Sequence, residues 1–277
     1  MKLAEVAAMY DFTGKTFLVT GGTGVLGGVV AGALVDVGAN VVVLDRSLDP
    51  AKGLTDYTHK TGWQGKAVRG DVLNRASLVE AAAAIKAEYG PIYGLVNAAG
   101  GNSPKATVSQ ALSFFDIPEE GMRFVLDLNL LGTMIPCQIF AQQMAETGEG
   151  VILNYSSMNA YRPLTNIAAY SASKAGVTNF TQWLAVHMAQ NYSGKIRVNA
   201  IAPGFFLGEQ NRYLLTDKET GAWTPRGQKI LDHTPMGRLG VPEDLVGTSL
   251  WLLSPASAFV TGIVVPVDGG FSAYAGV

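Results

Sequence analysis

A doubly wound α/β fold, with helices on both faces of a parallel sheet, is predicted by three observations. Apolar runs of strand length recur along the chain and end in polar or glycine residues. Stretches of helical patterning separate most of them. Five glycines crowd the ten residues VTGGTGVLGG, residues 19–28, directly after the first run. Strands alternating with helices build parallel sheets buried on both faces, with ligands at the carboxyl ends of the strands. The chain has 277 residues and no composition break. It is therefore read as a single domain over residues 1–277.

The elements follow in order. Residues 15–20 read as a short buried strand and residues 25–37 as an apolar helix closed by Gly38, the residue type that best tolerates a left-handed helix end. NVVVLD, residues 40–45, is a second buried strand ending in an acid. Further strand runs lie within residues 66–72, 92–100, 150–157, 195–204 and 262–270, and helices are expected over 77–89 and 169–191. Residues 101–120 and 208–233 break the rhythm. Loops of that length in a compact domain are usually functional, and the second, placed within 205–238, reads as a substrate lid.

Composition excludes several classes. Hydrophobic residues make up 48%, charged residues 15%, and the formal net charge is -2, which suits a soluble protein with much buried surface and gives no basic excess for a nucleic-acid partner. One cysteine, Cys137, forms no intrachain disulfide and suggests a reducing compartment. The opening MKLAEVAAMYDF is too short and acidic for a signal peptide, and no apolar run reads as long enough to cross a membrane. The expectation is a cytoplasmic protein without a membrane partner. His59, His187 and His233 show no ligand spacing, so no metal is expected.

Gly22-x-Gly24-x-x-Gly27 follows a strand and opens a helix, and an acid ends the next strand. Such a turn brings main-chain N–H groups up to a dinucleotide pyrophosphate at a helix N-terminus, and Gly21, Gly22, Thr23, Gly24, Val25 and Leu26 are its candidate contacts. An ordinary glycine-rich turn is the competing reading. Asp45 can accept both hydroxyls of an adenosine ribose and repels a 2′-phosphate, which favours NAD; Arg46 beside it leaves NADP open. Tyr170 and Lys174 are four apart on a predicted helix, so they share a face, and an ammonium beside a phenol draws its pKa toward neutrality. Taken alone, the pair could equally be a tyrosine beside a solvated lysine. Ser157, at a strand end thirteen residues earlier, favours the chemical reading.

With the glycine turn, Asp45, Gly70-Asp71-Val72, Asn97-Ala98-Ala99-Gly100, Asn129 in DLNLLG, Ser157, Tyr170-x-x-x-Lys174, Pro203-Gly204 and the tail GRLGVPEDLVG…VTGIVVPVDGG, the sequence resembles the short-chain dehydrogenase/reductase family over nearly its whole length. That resemblance implies one Rossmann-type domain with about seven strands, a nicotinamide cofactor and commonly a homotetramer. It implies that Tyr170 donates a proton to a carbonyl oxygen, that Ser157 hydrogen-bonds that oxygen, that Lys174 lowers the Tyr170 pKa and holds the nicotinamide ribose, and that Asn129 positions a water in the proton relay. Asp71 and Val72 would meet the adenine, Asn97, Ala98 and Gly100 would line the cofactor path, and Pro203 and Gly204 would flank the nicotinamide. Two departures stand out. Val25 occupies a position that is usually glycine, with Gly24 one place earlier, so the turn is expected to take a different local path. Gly208 stands where a threonine often meets the carboxamide.

Finer features, FLGEQNR at 206–212, RGQK at 226–229, HTPMGR at 233–238 and the ending PVDGGFSAYAGV, resemble the fructuronate reductase (D-mannonate oxidoreductase) branch of that family. A sugar acid needs amides for its hydroxyls and a cation for its carboxylate. Asn102, Ser157, Asn159, Arg162, Gln210 and Arg212 are the substrate candidates, with Arg226 and Lys229 as further cations. The leading expectation is an NAD(H)-linked dehydrogenase of a sugar acid or polyol. A 3-oxoacyl thioester reductase, with an apolar acyl channel, is the alternative within the family. A nucleotide-sensing protein without chemistry is the alternative outside it.

Overall fold

In a computed structural model, which describes residues 2–48, 53–206, 215–217 and 220–276, the predicted apolar runs lie side by side in one eight-stranded sheet. The strands are β1 (Thr16–Thr20), β2 (Asn40–Asp45), β3 (Thr55–Thr58), β4 (Gln64–Arg69), β5 (Gly94–Asn97), β6 (Gly150–Tyr155), β7 (Ile196–Pro203) and β8 (Val264–Val267), in the order β3-β4-β2-β1-β5-β6-β7-β8. Seven run parallel. β3, on the edge, pairs antiparallel with β4, so the sheet has one strand more than expected and is mixed. The order reverses at β1, with β2 on one side and β5 on the other. A reversal of this kind opens a crevice at the carboxyl ends of the two central strands.

Alternation of side chains along each strand divides the interior in two. Leu18, Val42, Leu95 and Ile152 pack with Leu78, Phe140 and Leu184 of helices α3 (Arg75–Tyr89), α5 (Gly132–Thr147) and α6 (Ala168–Asn191). Phe17, Val19, Val43 and Leu153 face the other way, against Val30 and Leu34 of α2 (Val25–Asp36) and Leu252 of α8 (Val246–Leu253). The remaining helices are α1 (Leu3–Ala8), α4 (Glu119–Leu126) and α7 (Pro225–Asp232).

Parallel neighbours usually require a helical crossover. Between β2 and β4 the described residues instead form the β3–β4 hairpin, whose Tyr57, His59 and Trp63 make an aromatic plug. His59 and Trp63 stack with ring centroids 5.3 Å apart. The plug lies on the Gly28–Gly32 stripe of α2: a Cβ at Gly32 would come within 2.6 Å of Trp63 Cδ1, so only glycine lets the indole approach this closely.

α4 and α5 are one continuous helix from Glu119 to Thr147, joined by a π-helical turn over Asp127–Leu131. By length and composition this helix could cross a membrane, whereas the sequence expectation was that no apolar run is long enough. Half of its most apolar window is buried inside the protein. Its environment is that of a core helix.

Candidate active site

The carboxyl ends of β1, β2, β5, β6 and β7 surround a cleft of about 600 Å³. Its floor is the glycine turn. Gly21 has φ +65°, and a Cβ there would lie 2.8 Å from the main chain of Ala99, so the turn meets the end of β5 only because the residue is glycine. Gly24 takes the N-cap position of α2 in extended conformation. The first N–H groups of that helix have no partner within it and carry the positive end of its dipole, which suits a pyrophosphate. Gly21, Thr23, Gly24, Val25 and Leu26 line the cleft. Gly22 does not; it packs back against Val43 of β2.

Asp45 closes one end of the cleft at the tip of β2. Thr23 Oγ1 donates to its Oδ2, and the Ser47 N–H and hydroxyl donate to its Oδ1 at 3.0 and 2.8 Å. Three of the four acceptor positions of the carboxylate are thereby filled. The sequence expectation that Asp45 takes both ribose hydroxyls is modified accordingly: one acceptor is open on Oδ2, and further contacts require Thr23 or Ser47 to turn. Ser47 was absent from the sequence reading, although a serine two residues beyond an aspartate is the signature of a local side-chain turn. Arg46 lies beside the site, and Asp71 and Val72 line the wall above it. Asp71 Oδ1 accepts from Leu73 N at 2.9 Å, while Val72 is buried against Gly132.

Ala98 and Gly100 line the cleft, but Asn97 does not. It is buried within the sheet, where its Nδ2 donates to Asn154 Oδ1 at 2.9 Å. Asn129, in the π turn, is fully buried. Its Nδ2 donates to the carbonyls of Gly101 at 2.7 Å and Val125 at 2.8 Å, and its Oδ1 accepts from Gly101 N at 3.1 Å. The side chain thus fixes the Gly100–Gly101 rim and leaves no open amide hydrogen for a water. Pro203 and Gly204 close the far end.

Ser157, Tyr170 and Lys174 meet on this cleft. Ser157 follows the end of β6, and the other two lie one turn apart on α6, so the βα unit brings strand tip and helix face together. Ser157 stands near enough to the Tyr170 phenol to draw its pKa down. Lys174 Nζ donates to the Tyr155 carbonyl at 2.7 Å and stands 5.6 Å from the Tyr170 ring centroid. Burial pushes the Tyr170 phenol up, with the Ser157 contact opposing it, and pushes the Lys174 ammonium down to about 8. Desolvation here outweighs the downward pull expected of Lys174 on the Tyr170 phenol. Sequence reading also missed Tyr155, since a main-chain carbonyl leaves no mark in a sequence pattern.

Of the substrate candidates among the described residues, only Ser157 lines the cleft. Asn102 is tied to Thr107 Oγ1 at 2.9 Å, and Arg162 is exposed, with its Nε donating to the Ser272 carbonyl at 3.1 Å. Asn159 is buried and bonded to Ser157 and Leu164. Gly208, Gln210 and Arg212 lie outside the described residues. Of the expected lid, α7 and its flanks are described; Leu215, Ile230 and Leu239 make a small apolar cluster of their own against Phe205 and Phe271.

A family model described as enoyl-(acyl carrier protein) reductase, of the short-chain alcohol dehydrogenase type, matches residues 24–272. The chain belongs to the short-chain dehydrogenase/reductase family. Among relatives of this short-chain dehydrogenase/reductase, an uncharacterized oxidoreductase, UxuB, of Bacillus subtilis is 44% identical over 96% of this chain and 98% of its own. The 7alpha-hydroxysteroid dehydrogenase of Escherichia coli K12 is 34% identical over 93% of this chain and 94% of its own. A crystal structure of a candidate D-mannonate oxidoreductase from Haemophilus influenzae, with bound NAD, superposes with a TM-score of 0.87 at 42% identity, covering 98% of this chain and all of the other. The protein is an oxidoreductase of this family.

Proposed function

We propose that the protein interconverts a ketone and a secondary alcohol on a sugar acid, using NAD(H). The observation that carries the chemistry is the meeting of Ser157, Tyr170 and Lys174 on the same cleft as the glycine turn and Asp45. The cleft fits a dinucleotide: a Cβ at Gly21 would strike Ala99 where the turn meets β5, the N-terminus of α2 lines it at Val25 and Leu26, and an acid stands at the tip of β2. When bound, the nicotinamide would supply the hydride in reduction and take it up in oxidation. In reduction the carbonyl carbon gains the hydride, the C=O π bond breaks, and its oxygen takes the proton of Tyr170. Ser157 donates a hydrogen bond to that oxygen as charge develops on it. Lys174, held by the Tyr155 carbonyl, places a cation beside the phenolate left behind. Asn129 keeps the Gly100–Gly101 rim in place. We assign NAD on the placement of Asp45 at the tip of β2 and on the NAD-bound relative, and the sugar acid on that relative's described activity together with the polar lid sequence.

The experiment is a panel of ketose acids, matching ketoses and a 7-oxosteroid with NADH and NADPH. A higher kcat/KM for NADH and for a ketose acid is the expected outcome. Preference for NADPH would remove the Asp45 argument, and preference for the steroid or the uncharged ketose would remove the sugar-acid assignment.

A further inference from the structure

Asn159 lies two residues beyond Ser157, in the single helical turn Met158–Ala160 that Ser157 caps. It is 6% exposed, and its amide can be oriented without ambiguity. Oδ1 accepts from the Leu164 main-chain N–H at 3.0 Å and from the Ser171 hydroxyl at 3.4 Å. A main-chain N–H only donates, so the oxygen must face Leu164 and the nitrogen must face Ser157. Nδ2 then donates to Ser157 Oγ at 3.3 Å. The same oxygen accepts the Asn159 main-chain N–H at 3.2 Å.

A serine hydroxyl has two acceptor positions and one proton. Two N–H donors fill both acceptor positions of Ser157. Its proton is all that remains to offer, and with both acceptor positions turned to Asn159 it is left for the cleft that Ser157 and Tyr170 both line. We propose that Asn159 is a positioning residue that makes Ser157 an obligate hydrogen-bond donor toward the substrate carbonyl oxygen. This rests on the assignment of Ser157 and Tyr170 as the groups that meet that oxygen. With its lone pairs occupied, Ser157 cannot take the Tyr170 proton. The phenol is left to donate directly to substrate, and the developing oxyanion receives two donors at once. The contact to Ser171 ties this polarity to α6, next to Tyr170 itself.

Asn159→Asp tests the polarity. The carboxylate still accepts from Leu164 but turns an acceptor toward Ser157, which draws the hydroxyl proton away from substrate. At neutral pH kcat falls by about 10²-fold, as for loss of an oxyanion donor, while KM for NADH stays within about twofold. The loss shrinks as pH falls and the introduced carboxyl gains a proton it can donate. Tyr170 and Lys174, the titratable groups beside Ser157, ionise above that range; Asp45, Arg46 and Asp71, on the cofactor side of the cleft, are common to every variant, so the pH dependence is read as the ratio of each variant to the native protein. Asn159→Leu, which empties one acceptor position and adds none, gives a smaller loss that is constant across the same pH range. Equal losses for Asp and Leu at every pH, or full activity of Asn159→Asp, overturn the proposal. Should the Asp variant fail to fold, an Asn159→Leu enzyme with unchanged kcat overturns it as well. Tyr170→Phe run in parallel separates the failures: its retained turnover would remove the underlying assignment, whereas its loss beside a fully active Asn159→Asp removes only the role of Asn159.

Discussion

Tyr170 and Lys174 are legible in the sequence because helical spacing alone puts them on one face, and Ser157 because it closes an apolar strand run. What spacing cannot reveal is where the lysine points. Lys174 is fully enclosed and bonded to a main-chain carbonyl, with a pKa of about 8 against 10.5 in an exposed lysine. The unfolded chain therefore binds more protons between those values, and stability rises with pH across that interval. Below about pH 8 the burial cost is fully present, at about 3 kcal/mol. Without added cofactor, melting curves of the protein and of Lys174→Met should converge or cross between pH 8 and 10.5, with the native protein gaining relative to the variant. A pH-independent gap would contradict the assignment. Tyr170→Phe keeps the ring and removes the proton, so kcat should fall by about 10²- to 10⁴-fold with NADH binding unchanged by fluorescence titration. Arg162 shows the limit of reading by residue type: its partner, the Ser272 carbonyl, is a long-range contact that no local pattern announces.

Among the elements, the strands with uninterrupted apolar runs were legible to within a few residues, and β3 was not. TDYT carries no apolar run, is largely exposed, and pairs only at the sheet edge, so hydrophobic periodicity has nothing to register. Its purpose appears only in three dimensions, where the hairpin delivers the Trp63 and His59 rings onto α2 in place of a crossover helix. Gly32→Ala should therefore destabilise the protein by about 1–3 kcal/mol through overpacking against Trp63, although alanine is the better helix former. Combining it with Trp63→Leu should recover part of that loss. Additive losses in urea unfolding would mean that the two side chains do not meet. The same helix opens at the glycine turn, so the single variant should also weaken NADH binding.

For the molecule as a whole, several large apolar side chains outside the cleft lining are exposed, among them Trp183, which is 57% exposed, with Val186 on α6, Leu131 at the π turn, and Phe259 before β8. Exposed side chains of this size on an otherwise polar surface suit contact with other subunits. We expect light scattering at micromolar concentration to give a homotetramer, with residues 259–277 at an interface; a monomer would contradict this. The end of the chain has a second attachment. Arg162 Nε holds the Ser272 carbonyl, and the Tyr161 hydroxyl donates to the Val264 carbonyl at 3.2 Å, so β8 and the residues after it are fastened to the loop that leaves Ser157 and Asn159. α1, at the other end, buries none of its residues. A purification handle fused behind Gly276 would thus hang beside the loop that orients the reacting serine. The same handle ahead of Lys2 would sit on a helix that buries none of its residues, and kinetic comparisons of variants belong on proteins tagged there.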